Sequence, residues 1–215
     1  MKKNYYPGKF IVFEGLDGSG KTTQVKSLGA FLKAKKYNVI FTKEPTKDNV
    51  FGRKIESVLN HKIKLSSLQL QINFTKDRDW HLKKIIEPAL KEGKVVICDR
   101  YFFSTFAYGG IDLSIEKLIK LNDRFLLPDL TIFIDVGPKE CIKRILKRRD
   151  DSRISFFEKQ KKLEKVYQNY KLLNERFPIE FVDGERSKKQ VAKDIQKIFD
   201  KKFKNNRLKD RVSVL

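Results

Sequence analysis

Cysteine is scarce, with two in 215 residues: Cys98 within an apolar run and Cys141 within a helical pattern. Two thiols exclude a disulfide framework and a zinc cluster, and they suit a reducing compartment. Long hydrophobic runs are also missing, so no segment reaches membrane-spanning length. The N-terminus, Met1 to Gly8, is basic but has no apolar stretch of the kind a signal peptide needs, and a cytoplasmic protein is expected. Repeats and low-complexity tracts are lacking too. Acidic side chains are the remaining deficit: 27 Asp and Glu against 48 Lys and Arg leave a net charge of +21. That balance asks for anionic partners, a polyphosphate nucleotide or a nucleic acid, although an A/T-rich coding bias toward lysine accounts for the same composition. The residues that are present suffice for one α/β domain and not comfortably for two: 40% are hydrophobic and 12% aromatic, enough for a packed core.

Five short β-branched or aromatic runs recur along the chain: Phe10 to Glu14, Val39 to Thr42, Val95 to Cys98, Leu130 to Val136 and Ile179 to Val182. A longer helical pattern follows each. Strands alternating with helices specify a five-stranded parallel sheet with helices on both faces, and continuous apolar runs suit strands buried on both sides. Ligands collect at the carboxyl ends of such strands. Those ends carry the loop after Glu14, Lys43-Glu44-Pro45, Asp99-Arg100-Tyr101, the segment after Asp135, and Asp183-Gly184. The last stretch, Lys201 to Leu215, has six basic residues against one acid, Asp210, and little periodicity, which predicts a frayed basic tail.

The first strand end is the most specific. Gly15, Leu16, Asp17, Gly18, Ser19, Gly20, Lys21 and Thr22 form a complete G-x-x-x-x-G-K-[ST] phosphate loop, set between a strand and a helix as the motif requires. Glycines let backbone N–H groups curl around phosphate oxygens, Lys21 reaches the β and γ phosphates, and the Thr22 hydroxyl can ligate Mg2+. With Thr23, these are the expected ATP contacts.

Two further features point to a second ligand. The helical stripe Leu82, Ile85, Ile86, Ala89 and Leu90, continued backwards by fours, reaches Arg78 and then Phe74. A buried arginine needs a partner, either a protein carboxylate such as Asp99 or a bound anion. Phe74 offers a flat apolar surface to an aromatic ring. Arg100, Ser104 and Tyr108 repeat at i, i+4 and i+8 and are expected to line one wall. Asp99, at a strand tip beside the phosphate loop, is placed to hold the hydration shell of Mg2+, to cap the following helix, or both. Between Lys143 and Arg153, the arginines at 148, 149 and 153 surround Asp150-Asp151-Ser152. The run reads as a short lid that neutralises charge on a transferred phosphoryl group and excludes water, or as a solvated helix end.

Together these residues resemble the thymidylate kinase family, over roughly Lys9 to Phe199. The resemblance rests on Phe-Glu-Gly-Leu-Asp-Gly-Ser-Gly-Lys-Thr-Thr-Gln at 13–24, Thr-Lys-Glu-Pro-Thr at 42–46, Phe-Thr-Lys-Asp-Arg at 74–78, Asp-Arg-Tyr-Phe-Phe-Ser-Thr-Phe-Ala-Tyr at 99–108 and Pro-Asp-Leu-Thr-Ile-Phe-Ile-Asp-Val at 128–136. It implies a phosphate-loop nucleoside monophosphate kinase fold, with one kinase domain over residues 1–200, a lid around 147–156 and a basic tail over 201–215. The implied reaction is dTMP + ATP giving dTDP + ADP with Mg2+ held by Thr22 and, through water, Asp99. The implied acceptor site has Phe74 stacked on thymine, Pro45 walling the base pocket, Arg78 at the thymine edge or the monophosphate, and Thr105 in polar contact with the base. Ser104 belongs to the same site, Tyr108 packs near the sugar, and Arg100 grips the acceptor phosphate. Asp17 lies near the acceptor's 3′-hydroxyl and the metal shell, and the Asp183-Gly184 turn lies by the adenine.

The family divides by the source of its catalytic arginine. Gly18 stands where one kind carries arginine in the loop, so this chain resembles the lid-arginine kind, with Arg153 and then Arg148 expected at the transferred phosphoryl. The catalytic set implied is Lys21, Asp17, Arg100, Arg153 and Arg148. A homodimer is implied as well, and neither a membrane nor a nucleic acid is an expected partner. The chain departs from the family at Lys43, where arginine is frequent and a bidentate phosphate contact becomes a point charge. It departs again at Gly109-Gly110-Ile111-Asp112, which is shorter than the usual stretch. The residues also admit a kinase of the same fold with another monophosphate or deoxynucleoside acceptor, a nucleic-acid-stimulated ATPase, or a binding protein that transfers nothing.

Overall fold

A computed structural model describes the backbone of residues 1–147 and 154–212 and the side chains of residues 1–147 and 160–203. Five strands, β1 (Lys9–Glu14), β2 (Val39–Lys43), β3 (Val95–Asp99), β4 (Leu130–Asp135) and β5 (Ile179–Asp183), form one parallel sheet in the order β2-β3-β1-β4-β5. β1 is central, and Phe10, Ile11, Val12 and Phe13 are each 0% exposed. Successive side chains of a strand point to opposite faces, so a strand buried at every position needs cover on both. Helices supply it. α1 (Lys21–Ala34) packs against α9 (Lys188–Val212), and α5 (Phe102–Gly109) and α7 (Pro138–Leu146) pack against α8 (Ile154–Asn174). Among the described residues the remaining helices are α2 (Val50–Leu59), α3 (Ser67–His81), α4 (Glu87–Lys91) and α6 (Ile115–Asn122). The parallel register brings the strand tips level: Phe13 lies beside Asp99, and Asp99 beside Lys43.

α3 starts at a capping box, in which the Ser66 hydroxyl accepts from the Gln69 amide at 3.3 Å and the Gln69 side chain accepts from the Ser66 amide at 3.0 Å. It runs through a π-helical turn, Leu82–Ile86, into α4. Upstream of that wider turn the buried stripe passes through Arg78, Thr75 and Gln71, stepping back by three from Arg78 rather than four. Phe74 therefore sits half-buried at the margin of the stripe instead of on its centre line.

The last helix corrects one expectation. α9 continues to Val212, so the backbone from 201 to 212 is helical, not a frayed tail. Phe199 and Phe203 meet across one turn with ring centroids 4.8 Å apart, and both are buried, an i, i+4 apolar pair that carries the helix past residue 200. Among the described residues no helix is long and apolar enough to cross a membrane.

Candidate active site

The end of β1 delivers the phosphate loop to the start of α1. Gly20 caps that helix in a left-handed conformation, φ 97°, with no side chain of its own to cap the helix, a helix start suited to phosphate oxygens. Lys21 folds back so that its ammonium donates to the carbonyls of Gly15 at 3.0 Å and Leu16 at 2.8 Å. Burial, with the nearby Arg100 charge, lowers its pKa from 10.5 to about 8. Gly18 has φ +86°, and a Cβ there would fall 2.5 Å from the Cys141 carbonyl oxygen on α7. The loop thus packs against a neighbouring helix backbone at the very position where an arginine of its own would branch.

Thr22 and Asp99 meet where β1 and β3 end: the threonine hydroxyl donates to the carboxylate at 2.8 Å. Two hard oxygen donors side by side fit Mg2+, which binds through one or two protein groups plus phosphate and water. Asp99 does not cap α5. The N-cap position belongs to Tyr101, and the carboxylate that meets the first-turn amides is Glu14, fully buried at the end of β1. Its Oε1 accepts from the Tyr101 amide at 2.9 Å and the Ser104 amide at 3.2 Å; its Oε2 accepts from the Ser104 hydroxyl at 2.6 Å and the Tyr170 hydroxyl at 2.8 Å. Burial raises the Glu14 pKa above 4.5, against the pull of the Arg100 charge and these donors.

Arg100, Ser104 and Tyr108 do share a wall. The Arg100 guanidinium donates to Ser104 Oγ at 2.8 Å and to Tyr108 Oη at 3.4 Å, lies 5.2 Å from the Tyr108 ring centre, and pairs with Asp17 of the phosphate loop at 2.5 Å. Arg100 has φ 74°, a left-handed conformation costing a non-glycine residue about 1–2 kcal/mol. From that backbone the guanidinium reaches Asp17, Ser104 and Tyr108. Arg78 is 1% exposed and faces inward, but the acid it meets is Glu44 at 2.7 Å and not Asp99. It also donates to Thr105 Oγ1 at 3.1 Å and to Asn122, and it lies over the Tyr101 ring. Thr105 is buried, whereas Pro45, Phe74 and Tyr108 are half-exposed.

A profile of the family described as Thymidylate kinase matches residues 13–195. The chain belongs to the thymidylate kinase family. A probable thymidylate kinase of Pyrococcus horikoshii is 46% identical over 181 residues, covering 80% of this chain and 85% of the relative. One of Pyrococcus abyssi is 43% identical, covering 87% and 94%, and a thymidylate kinase of Desulfotalea psychrophila is 36% identical, covering 88% and 93%. Membership makes the chain a nucleotide-binding phosphotransferase.

Within that family frame, a cavity of about 530 Å³ opens beside the loop, lined by Gly18, Ser19, Gly20, Arg144, Gly184 and Val191 among others. The turn after β5 therefore meets the phosphate loop across it. Arg144, which the sequence alone assigns only to the basic run, crosses the cavity: Glu140 holds its Nε at 2.9 Å and its Nη atoms reach the Gly184 carbonyl at 3.2 and 3.3 Å. The acid four residues earlier on the same helix is the sequence signal for this pair. Glu14 leaves no comparable local signal. Lys43 is exposed at the tip of β2. Arg148, Arg149 and Arg153 lie outside the described residues.

Proposed function

We propose that these strand tips bind ATP and dTMP together and transfer a phosphoryl group between them, giving ADP and dTDP. The observation that supports this most is the Asp17–Arg100 pair, which joins the donor-phosphate loop to the head of the acceptor wall. In this reading, residues Gly15 to Thr23 hold the donor phosphates through loop amides and the Lys21 ammonium. Thr22, with Asp99 through water, holds Mg2+, which neutralises charge shared by the phosphates. Arg100, Ser104 and Tyr108 take the acceptor phosphate and sugar, Asp17 the 3′-hydroxyl side, and Pro45, Phe74, Arg78 and Thr105 border the base. The reaction needs no covalent intermediate, so these residues act by positioning and by offsetting charge. Gly18 has no space for a side chain, which favours Arg153, then Arg148, as the arginine at the transferred group.

The acting species is proposed to be a cytoplasmic homodimer that does not use nucleic acid. Val50 at 60%, Leu59 at 54% and Ile63 at 40% exposure put apolar surface around α2, and light scattering measures the mass directly. A coupled ADP-release assay across dTMP, dUMP, UMP, dCMP, dGMP and thymidine tests the activity. The highest kcat/KM is expected for dTMP and no turnover for thymidine. Preference for another acceptor, or ATP hydrolysis stimulated by DNA or RNA, would refute the reading.

A further inference from the structure

Two consecutive residues of α3 grip the two residues on either side of Pro45. Arg78 pairs with Glu44 at 2.7 Å. Asp77, 0% exposed, holds Thr46: its Oδ2 accepts from the Thr46 amide at 2.9 Å and its Oδ1 from the Thr46 hydroxyl at 2.6 Å. Oδ1 also accepts from Asn49 Nδ2 at 2.6 Å, and Asn49 Oδ1 in turn accepts from the amides of Phe51 at 2.8 Å and Gly52 at 3.0 Å, capping α2. Gly52 is part of the fit, because a Cβ there would lie 2.1 Å from the Thr46 carbonyl oxygen and 2.8 Å from Asp77 Oδ1. A buried carboxylate is costly unless its lone pairs are met by donors. Here three donors meet it, and all three belong to the segment that follows Pro45.

We propose that Asp77 is a positioning residue for the acceptor: it fixes the backbone after Pro45 while Arg78 fixes the residue before it, so that Pro45 is held at both ends. The proposal rests on the reading of Pro45 as a wall of the base pocket. Asp77 acts through Thr46 and on the acceptor alone, since its bonds tie α3 to the 44–49 loop and to α2 and not to the phosphate loop. An Asp77→Asn side chain keeps the volume but turns one acceptor into an –NH2 group that faces donors.

The test is steady-state kinetics of the full chain with dTMP and ATP varied separately, beside a thermal melt. Asp77→Asn is expected to raise KM for dTMP about tenfold and leave KM for ATP within about twofold. Thr46→Val, which removes the hydroxyl's bonds to Asp77 and from Asn49 Nδ2 and keeps the amide bond, is expected to raise KM for dTMP about threefold. A folded Asp77→Asn protein with a lowered Tm and an unchanged KM for dTMP has lost only structure, and overturns the proposal. So does a parallel rise in KM for ATP. Should Asp77→Asn not fold, an unchanged KM for dTMP in Thr46→Val overturns it equally. Failure of the unaltered protein to phosphorylate dTMP counts against the proposed function instead, and is seen before any variant is compared.

Discussion

Glutamine at position 14 keeps the size of the side chain and changes the number of acceptors. The Glu14 carboxylate takes four hydrogen bonds, from Tyr101 N–H, Ser104 N–H, Ser104 Oγ–H and Tyr170 Oη–H. Arginine only donates, so Arg100 Nη1, 2.8 Å from Ser104 Oγ, occupies a lone pair there and turns the hydroxyl proton toward Glu14. A chain of bonds thereby runs from the acceptor arginine to the buried carboxylate, with the Ser104 and Tyr170 hydroxyls 3.0 Å apart beside it. A carboxamide keeps its oxygen toward the two amides and turns its –NH2 to the two hydroxyls, one of which can give its proton to the other, 3.0 Å away, and accept, while the proton of the other is left without an acceptor. Two bonds to a charged acceptor, worth about 1.5–3 kcal/mol each, give way to neutral bonds worth about 0.5–1.5 kcal/mol and one unmet hydroxyl proton. Relief of a buried charge returns part of that, because burial already raises the Glu14 pKa above 4.5. The expected net loss is about 1–3 kcal/mol of stability. For a chain of this size that lowers Tm by roughly 2–12 °C.

The kinetic consequence is separable from that loss. With the Ser104 hydroxyl turned from Glu14 toward Tyr170, the Arg100 guanidinium is aimed elsewhere, and misplacement of a substrate-positioning group by an ångström costs about 100-fold. In an assay of ADP release at saturating ATP, Glu14→Gln is expected to lower kcat/KM for dTMP by about 100-fold while KM for ATP stays within about twofold. Tyr170→Phe removes one donor to Glu14 and the hydroxyl 3.0 Å from Ser104 Oγ, keeps the Arg100–Ser104–Glu14 chain, and is expected to cost about tenfold less. A Glu14→Gln protein with unchanged kcat and KM for dTMP, whatever its Tm, would show that the carboxylate holds the fold and does not aim the arginine.

Two further outcomes follow from the phosphate loop. Lys21 titrates at about 8 in the free protein instead of 10.5, and donor phosphates favour its charged form, so ATP binding at pH 8 should take up about half a proton and weaken as pH rises further. Calorimetric titration in buffers of different ionisation enthalpy measures this uptake, and an enthalpy independent of buffer would sink it. In the free protein the unfolded chain binds more protons between about pH 8 and 10.5, so this group's contribution to stability rises with pH across that window. Gly18→Ala puts a Cβ at φ +86° and 2.5 Å from the Cys141 carbonyl; strain alone costs about 1–2 kcal/mol. A fall in Tm of at least about 2–4 °C is expected, and an unchanged melt would refute the packing described for the loop.

The parts of the site that are legible in the sequence are those whose chemistry dictates a fixed local spacing. The phosphate loop is one, and Arg100, Ser104 and Tyr108 on successive turns are another; both need only a strand followed by a helix to be placed. Glu14 is different. As the last residue of an apolar strand it looks like a terminus, and its role exists only because Tyr101 and Tyr170, 87 and 156 residues away, close over it. The partner of Arg78 is hidden for a related reason. Glu44 follows Lys43, whose Cα pairs with that of Asp99 in the β2–β3 ladder, so two acids stand close together at adjacent strand tips. Only the packing of α3 selects between them, and it selects Glu44 by adding His81, whose Nδ1 lies 3.1 Å from the same carboxylate. The helical stripe misplaces Phe74 because a π-helical turn is a property of packed backbone and breaks the 3.6-residue period on which the stripe depends. What local pattern omits is therefore the set of buried acids, Glu14, Glu44 and Asp77, each joining elements distant in sequence. The parallel register that brings β1, β2 and β3 to an end at one level sets Glu14 and Glu44 at neighbouring strand ends, and α3 adds Asp77 through Thr46.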